Sequence, residues 1–383
     1  MSGSFGHAAE QRDDRRSLVT AAHSTTLPAT RQIAAGDFGE PCPRRPRGWS
    51  NGEVNKQLKA LTEIIEHTDA RLRAPDSGAR VWPTGFASLD RTLGGGLRAG
   101  ALSLVTGPQG LGKTTFVLQI ARNAVLAGHT VVYFSYEHDP EDLMERLIAL
   151  EAGERYGVES PGLEKIRTAF EDHTTVASME ERLTDLKGGV EALATVRSYA
   201  DRLHLHRSTG TSTDLAAISS EVEKVWRQTG QMPLVIVDYL QKVKVEGMLS
   251  DEERSGIVVE GLKDFAIEGA LPVLAVVASD KAGIEAGKRM RVHHLRGSSA
   301  LAYEADVVMI FNHKYDVVAR HHLVYDIGNA ERFHQWAVLT IEKNRQGKDG
   351  VNLEFRKRFD QARFEPEGGI VTEQLVDERI FSE

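Results

Sequence analysis

The sequence predicts an α/β fold built on a mostly parallel sheet with helices on both faces. Short, near-continuous apolar runs recur along the chain, helical stretches separate them, and one junction of run and helix carries a glycine-rich loop. Strands covered on both faces read as unbroken apolar runs rather than alternating ones, because neither face meets water. The runs are LSLVT (102–106), VVYFS (131–135), LVIVD (234–238), VLAVV (273–277), DVVMIF (306–311) and AVLTIE (337–342).

The 383 residues, 41% of them hydrophobic, suffice for a large core. Residues 1–49 hold few large apolar side chains and many Arg, Ser and Pro, so they cannot offset their ordering entropy and are expected to be disordered. A linker unit follows over 50–75. Ser50 and Glu53 have capping-box spacing, and Val54, Leu58, Leu61, Ile65 and Leu72 recur at near-helical intervals, which predicts an amphipathic helix over 52–73. Its apolar stripe must be buried on its own domain or on a neighbouring subunit. The main domain spans 76–366, with surface helices over 151–200 broken at KGG (187–189), and an acidic tail closes the chain at 367–383.

Charge and cysteine content limit the function classes. With 47 basic against 55 acidic residues, a nucleic acid would have to be held by a local basic surface. The single cysteine, Cys42, excludes an intramolecular disulfide and a thiolate zinc cluster, which fits a reducing compartment. No apolar run approaches the roughly 20 residues that cross a bilayer, and the first residues lack the apolar core of a secretory signal; a cytoplasmic protein without membrane contact is expected.

The loop GPQGLGKT satisfies G-x-x-x-x-G-K-[ST] through Gly107, Gly112, Lys113 and Thr114, between an apolar strand and the helical KTTFVLQIARNAVLAG. Glycines let successive backbone N–H groups turn inward as an anion nest at the positive end of a helix. Gly107, Gly110, Gly112, Lys113, Thr114 and Thr115 therefore form a cradle for a nucleoside triphosphate, with Lys113 directed at the β- and γ-phosphates and the Thr114 hydroxyl at Mg²⁺. Asp238 ends a buried run, where doubly wound sheets place ligand groups, and is the candidate carboxylate of the Mg²⁺ sphere. Glu137 follows the strand after the phosphate-loop helix and is the candidate base for the attacking water, in competition with Asp139 and Glu141.

PTGFASLDRTLGGGLRAGALSLVTG, the phosphate loop, FSYEHDPEDLMERLIALEAG, VIVDYLQ, LRGSSALAYEADVVMIF and IEKNRQGKDGVNLEF occur in the order and approximate spacing of the carboxy-terminal ATPase domain of DnaB-type replicative helicases. The chain resembles that family over roughly residues 80–366. The resemblance implies a RecA-like P-loop core, ATP and Mg²⁺ as cofactors, and a homo-oligomeric ring, usually a hexamer, with single-stranded DNA through its centre. It also implies that Glu137 is the catalytic glutamate, and that Lys343 and Arg345 are the lysine and arginine finger a neighbour inserts against the γ-phosphate. A desolvated guanidinium supplied in trans would neutralise charge developing during phosphoryl transfer.

Two departures from the family stand out. Disorder-prone residues 1–49 precede the linker helix, so the family's amino-terminal helical domain is not expected there, and VVASDK puts Ala278, or Asp280 if the alignment shifts by two residues, where the family has a γ-phosphate-sensing glutamine. The family's DNA-contacting loops would include 281–298, where Lys281, Lys288, Arg289, Arg291 and Arg296 face one acid, Glu285; without interleaved aromatics, binding would be salt-sensitive and indifferent to sequence. His313, His321 and His322 lie near Asp316 and Asp326 in sequence but lack a spacing that builds a zinc site. The main expectation is a DNA-translocating or unwinding ATPase, with a possible loader or replication-type protein partner. The alternative is a KaiC-like or accessory ATPase whose nucleotide state switches assembly or partner binding without unwinding.

Overall fold

The computed structural model describes residues 58–73, 80–172, 174, 176–279, 289–295, 298–324 and 327–376. In chain order these form α1 (Leu61–Arg73), β1 (Val81–Trp82), α2 (Ala87–Thr92), β2 (Leu97–Arg98), β3 (Leu102–Thr106), α3 (Lys113–Leu126), β4 (Val131–Ser135) and α4 (Pro140–Tyr156). Next come α5 (Leu163–Glu171), α6 (Met179–Leu183), α7 (Gly189–Tyr199), β5 (Leu203–Arg207), α8 (Leu215–Thr229), β6 (Leu234–Asp238), α9 (Asp251–Gly269), β7 (Val273–Val276) and α10 (Ser298–Glu304). The last third holds β8 (Val307–His313), α11 (Lys314–Val317), α12 (His321–Val324), α13 (Ile327–His334), β9 (Trp336–Asn344), β10 (Val351–Arg358), β11 (Arg363–Phe364) and β12 (Gly369–Ile370).

Each of the six apolar runs supplies a strand of one sheet, ordered β11-β10-β9-β8-β3-β7-β6-β4-β5 with β12 on β10. The six strands from β8 to β5 pair in parallel, and β9, β10, β11 and β12 extend the sheet antiparallel. Burial on both faces is visible in the central strands. Leu234 and Ile236 enter one apolar cluster while Val235 and Val237 enter the other, as period-two side-chain alternation requires. Phe116 of α3 anchors the first cluster, with ring centroids 4.8 Å from Phe86, 5.0 Å from Phe311 and 5.8 Å from Phe364. These contacts tie the phosphate-loop helix to both the parallel core and its antiparallel extension.

Four expectations change at this level. The first helix is helical from Leu61, residues 58–60 are not helical, and the earlier part of the proposed 52–73 span lies outside the described residues. None of its residues is buried; Leu61, Ile65 and Leu72 are 71%, 60% and 67% exposed, so burial of the stripe on the same domain is not met. The edge strand β5, LHLHR, is absent from the apolar runs because four of its residues are only half-buried and Arg207 is exposed. The supposed tail is partly folded: β12 pairs with β10, Leu375 is 1% exposed, and Lys314 bonds Glu373 at 2.8 Å. An acidic composition therefore conceals a buried lysine's counter-ion. Residues 1–57 and 377–383 lie outside the described residues, and so do the expectations that concern them.

Candidate nucleotide site

The site grows from the carboxyl ends of four neighbouring parallel strands. Register places Val105 beside Val276, Val276 beside Asp238, and Asp238 beside Ser135, so the segments after β3, β7, β6 and β4 emerge at one edge. All five residues of β3, β4 and β6 are buried, which fixes that edge. Gly107 leaves β3 with φ +153°, where a Cβ would lie 2.8 Å from that of Phe311. Gly112 is the N-cap of α3 with φ +74°, and a Cβ there would meet the Phe359 ring at 2.5 Å. Both positions combine a conformation that L side chains rarely adopt with no room for one.

Lys113 is 7% exposed, and its Nζ donates to the carbonyls of Gly107 at 2.8 Å and Pro108 at 2.9 Å. Burial pushes its amine below the ordinary 10.5, while the charges of Asp238 and Glu137 oppose that shift. The lysine is thus a desolvated cation held by loop carbonyls at the head of a helix. Thr114 is half-buried and Thr115 buried in the first turn behind it, with Gly110 at the loop's crest, also at positive φ.

Asp238 is 1% exposed, and Tyr133 donates its hydroxyl to Oδ2 at 2.8 Å. Its Oδ1 is buried without a hydrogen-bond partner. Burial raises this carboxyl above the ordinary 3.8, with Tyr133 and then the nearby Thr114 hydroxyl acting in the opposite direction. A buried acceptor with an unused lone pair, a threonine close by and a phosphate cradle fit a hard divalent cation such as Mg²⁺. Glu137 is exposed and lines a cavity of about 370 Å³ together with Lys113, Gln109, Gln241, Arg254 and Ala278. Asp139 instead precedes α4 and pairs with Arg207 at 2.7 Å.

Lys343 and Arg345 stand elsewhere. Because β9 runs antiparallel, Thr340 is level with Ile310, whose parallel partner is Thr106, whereas Asn344 is level with Val307, whose partner is Ser103. The pair therefore sits at the amino-terminal edge of the parallel strands, roughly 13 Å of strand from the residue that enters the phosphate loop. There Lys343 Nζ donates to the Ala302 and Tyr303 carbonyls at 2.6 and 3.0 Å, and Arg345 donates to Tyr303 at 2.5 Å. Arg345 also lies 3.6 Å from Asp306, with its side chain 48% exposed.

The basic stretch divides. Arg289 is 4% exposed and bonds Thr340 at 3.0 Å and the Asn352 side chain, a burial that corrects its assignment to a DNA-facing surface. Arg291 pairs with Glu342 at 2.6 Å. Lys281, Lys288 and Arg296 lie outside the described residues. His313 ends β8, and His322 accepts the Gln374 N–H at 3.1 Å. Among the described residues, no group of three or more His, Cys, Asp or Glu is placed to hold a metal ion, and no helix is long and apolar enough to cross a membrane.

Residues 82–365 match the DnaB-like helicase C terminal domain. The chain belongs to the DnaB-like helicase C-terminal-domain family. It is 27% identical over 310 residues to the replicative DNA helicase DnaB of Haemophilus influenzae, covering 79% of this chain and 59% of that protein. It is 24% identical over 304 residues to a probable plasmid replicative DNA helicase of Chlamydia psittaci, covering 78% and 58%. The chain thus spans just under three fifths of these relatives' length. A solved structure described as an ATPase domain shares the fold with a TM-score of 0.62 at 20% identity, over 80% of this chain and 99% of that one. A DnaB-like replicative helicase solved for its interactions with primase gives 0.60 at 20%, over 80% and 67%. The sheet is accordingly the RecA-like core of these DnaB-like domains.

Sequence reasoning assigns no role to Gln109, Gln241 or Arg254, although all three line the cavity. Gln241 stands inside the quoted DYLQ run, a signal available without the fold. Arg254 is one charge among many on a surface helix.

Proposed function

We propose that this chain is an Mg²⁺-dependent ATPase that assembles into a DnaB-like ring, translocates on single-stranded DNA or unwinds duplex DNA, and hydrolyses ATP between subunits. The observation that carries the reading is the division of the site between two edges of one sheet. Lys113, Asp238 and Glu137 gather at one edge, while the half-buried Lys343 and the exposed Arg345 stand at the other, beyond reach of their own phosphate loop. Two such unlike edges are complementary head to tail, and a heterologous contact of that kind closes into a ring when its rotation closes.

In this reading the phosphate-loop amides and Lys113 bind and orient the triphosphate, with Lys113 exchanging the Gly107 and Pro108 carbonyls for phosphate oxygens. Thr114 and Asp238 Oδ1 would hold Mg²⁺, which when bound neutralises charge on the β- and γ-phosphates. Glu137 accepts the proton of the attacking water, and its place at the open cavity wall gives that water access. Arg345 and Lys343 of the adjacent subunit stabilise the charge that develops on the transferred phosphoryl group. The family match, the replicative helicases among the relatives and the shared fold support this assignment.

Steady-state ATP hydrolysis with and without single-stranded DNA, at low and near-physiological salt, tests it. The expected outcome is DNA stimulation that weakens as salt rises, as phosphate-backbone binding requires. Hydrolysis indifferent to DNA at both salts would overturn the motor and favour the switching ATPase.

A further inference from the structure

We infer that Gln241 is a positioning residue that ties the nucleotide cavity to the carboxyl end of β7. The need for it arises in the strand ladder. Beyond β7, Val277 still donates its N–H to Val105 of β3 at 2.8 Å. The next N–H, that of Ala278, belongs on the opposite side of the strand, toward β6, and β6 has ended at Asp238, the partner of Val276. A strand-end donor with its neighbour gone needs another acceptor. The chain after Asp238 supplies one from a side chain: Leu240 is buried, the turn Leu240–Lys242 folds back, and Gln241 Oε1 accepts the Ala278 N–H at 3.0 Å.

This hydrogen bond differs from ordinary ladder repair in its place. Gln241 lines the same cavity as Lys113 and Glu137, and Ala278 and Ser279 form another part of its wall. A change in what the cavity holds therefore bears on a side chain that holds the Ala278 N–H. Ser279 pairs in turn with Leu295 in an isolated antiparallel bridge. Three residues later α10 begins, whose last carbonyls receive Lys343 and Arg345. Gln241 is thus the first link between a subunit's own nucleotide and the edge it presents to its neighbour. The inference rests on the reading of this cavity as the nucleotide site.

Amide hydrogen exchange of the peptide 273–279 in the full chain, saturated with a non-hydrolysable ATP analogue or with ADP, tests the link. In the wild type, exchange should be slower with the ATP analogue than with ADP. Gln241→Leu removes the acceptor; exchange should rise on the order of fivefold with the analogue, and the difference between nucleotides should vanish. Gln241→Glu keeps an acceptor oxygen at the same reach and should restore protection, which a general loosening would not allow. Gln241→Asn, withdrawn by one methylene, should behave as the leucine variant does. A nucleotide-dependent difference that survives in Gln241→Leu, or one missing from the wild type, overturns the inference. Fluorescent-nucleotide binding on the same samples separates the two failures: a wild type that binds no nucleotide refutes the assignment of the cavity itself.

Discussion

The two ends of the parallel strands differ in kind. At the carboxyl end, Lys113 and Asp238 are almost fully buried and Lys113 is held by the backbone that surrounds it. At the amino end, Arg345 is half exposed and rests on the last carbonyls of α10. The first edge is assembled by its own core, so its groups stand ready at low reorganisation cost. The second is a cation pair at the surface, the half-buried Lys343 and the more open Arg345, held by helix carbonyls and, for Arg345, by Asp306 3.6 Å away. Desolvated charges are strong partners only once paired, so the first edge should govern binding and the second should govern the chemical step.

Substitutions can break that contrast, and the largest effect is expected at the exposed edge. Arg345→Ala should lower the hydrolysis rate on the order of 10³-fold while leaving nucleotide affinity within a few-fold. Mixing Arg345→Ala with Glu137→Gln subunits should recover activity above either variant alone, because some interfaces regain both intact halves. Additive, uncomplemented rates would mean that each site is built from one chain.

Lys113→Ala should cost on the order of 10²-fold in kcat/KM, and here fluorescent-nucleotide titration should show weakened binding as well. Equal affinity in this variant would erase the distinction between the two edges.

A smaller effect concerns pH and belongs to the buried edge. Burial lowers the amine of Lys113 below 10.5, and an arriving triphosphate favours its charged form. Binding should take up protons, so affinity should fall by at most tenfold per unit as pH rises toward 10.5. Calorimetry in buffers of different ionisation enthalpy measures the uptake, and proton release instead would reverse the assigned sign.

The smallest effect on the folded chain is expected from Ile65→Asp, because α1 buries no side chain. Stability should change by less than about 0.5 kcal/mol in denaturant titration. Light scattering should nevertheless report smaller assemblies if the exposed stripe of α1 belongs at a subunit contact. A large loss of monomer stability would place that stripe on its own domain.

Sequence alone located a glycine-rich loop between a strand and a helix, Asp238 at the end of a buried run, and the six apolar strands along the chain, though not their order in the sheet. Each of these is a contiguous signal: a loop motif, an acid ending a buried run, and a hydrophobic period read within a few residues. Only the tertiary structure decided that Arg289 is buried, since its partners Thr340 and Asn352 are 51 and 63 residues away. Likewise, only pairing across the sheet placed Arg345 opposite its own phosphate loop and brought Gln241 to Ala278. β5 and the packed end of the chain were hidden because their support comes from β4, β10 and Lys314 rather than from their own composition. Local chemistry is written in neighbouring residues, whereas the roles of isolated polar groups depend on what long-range strand register sets beside them.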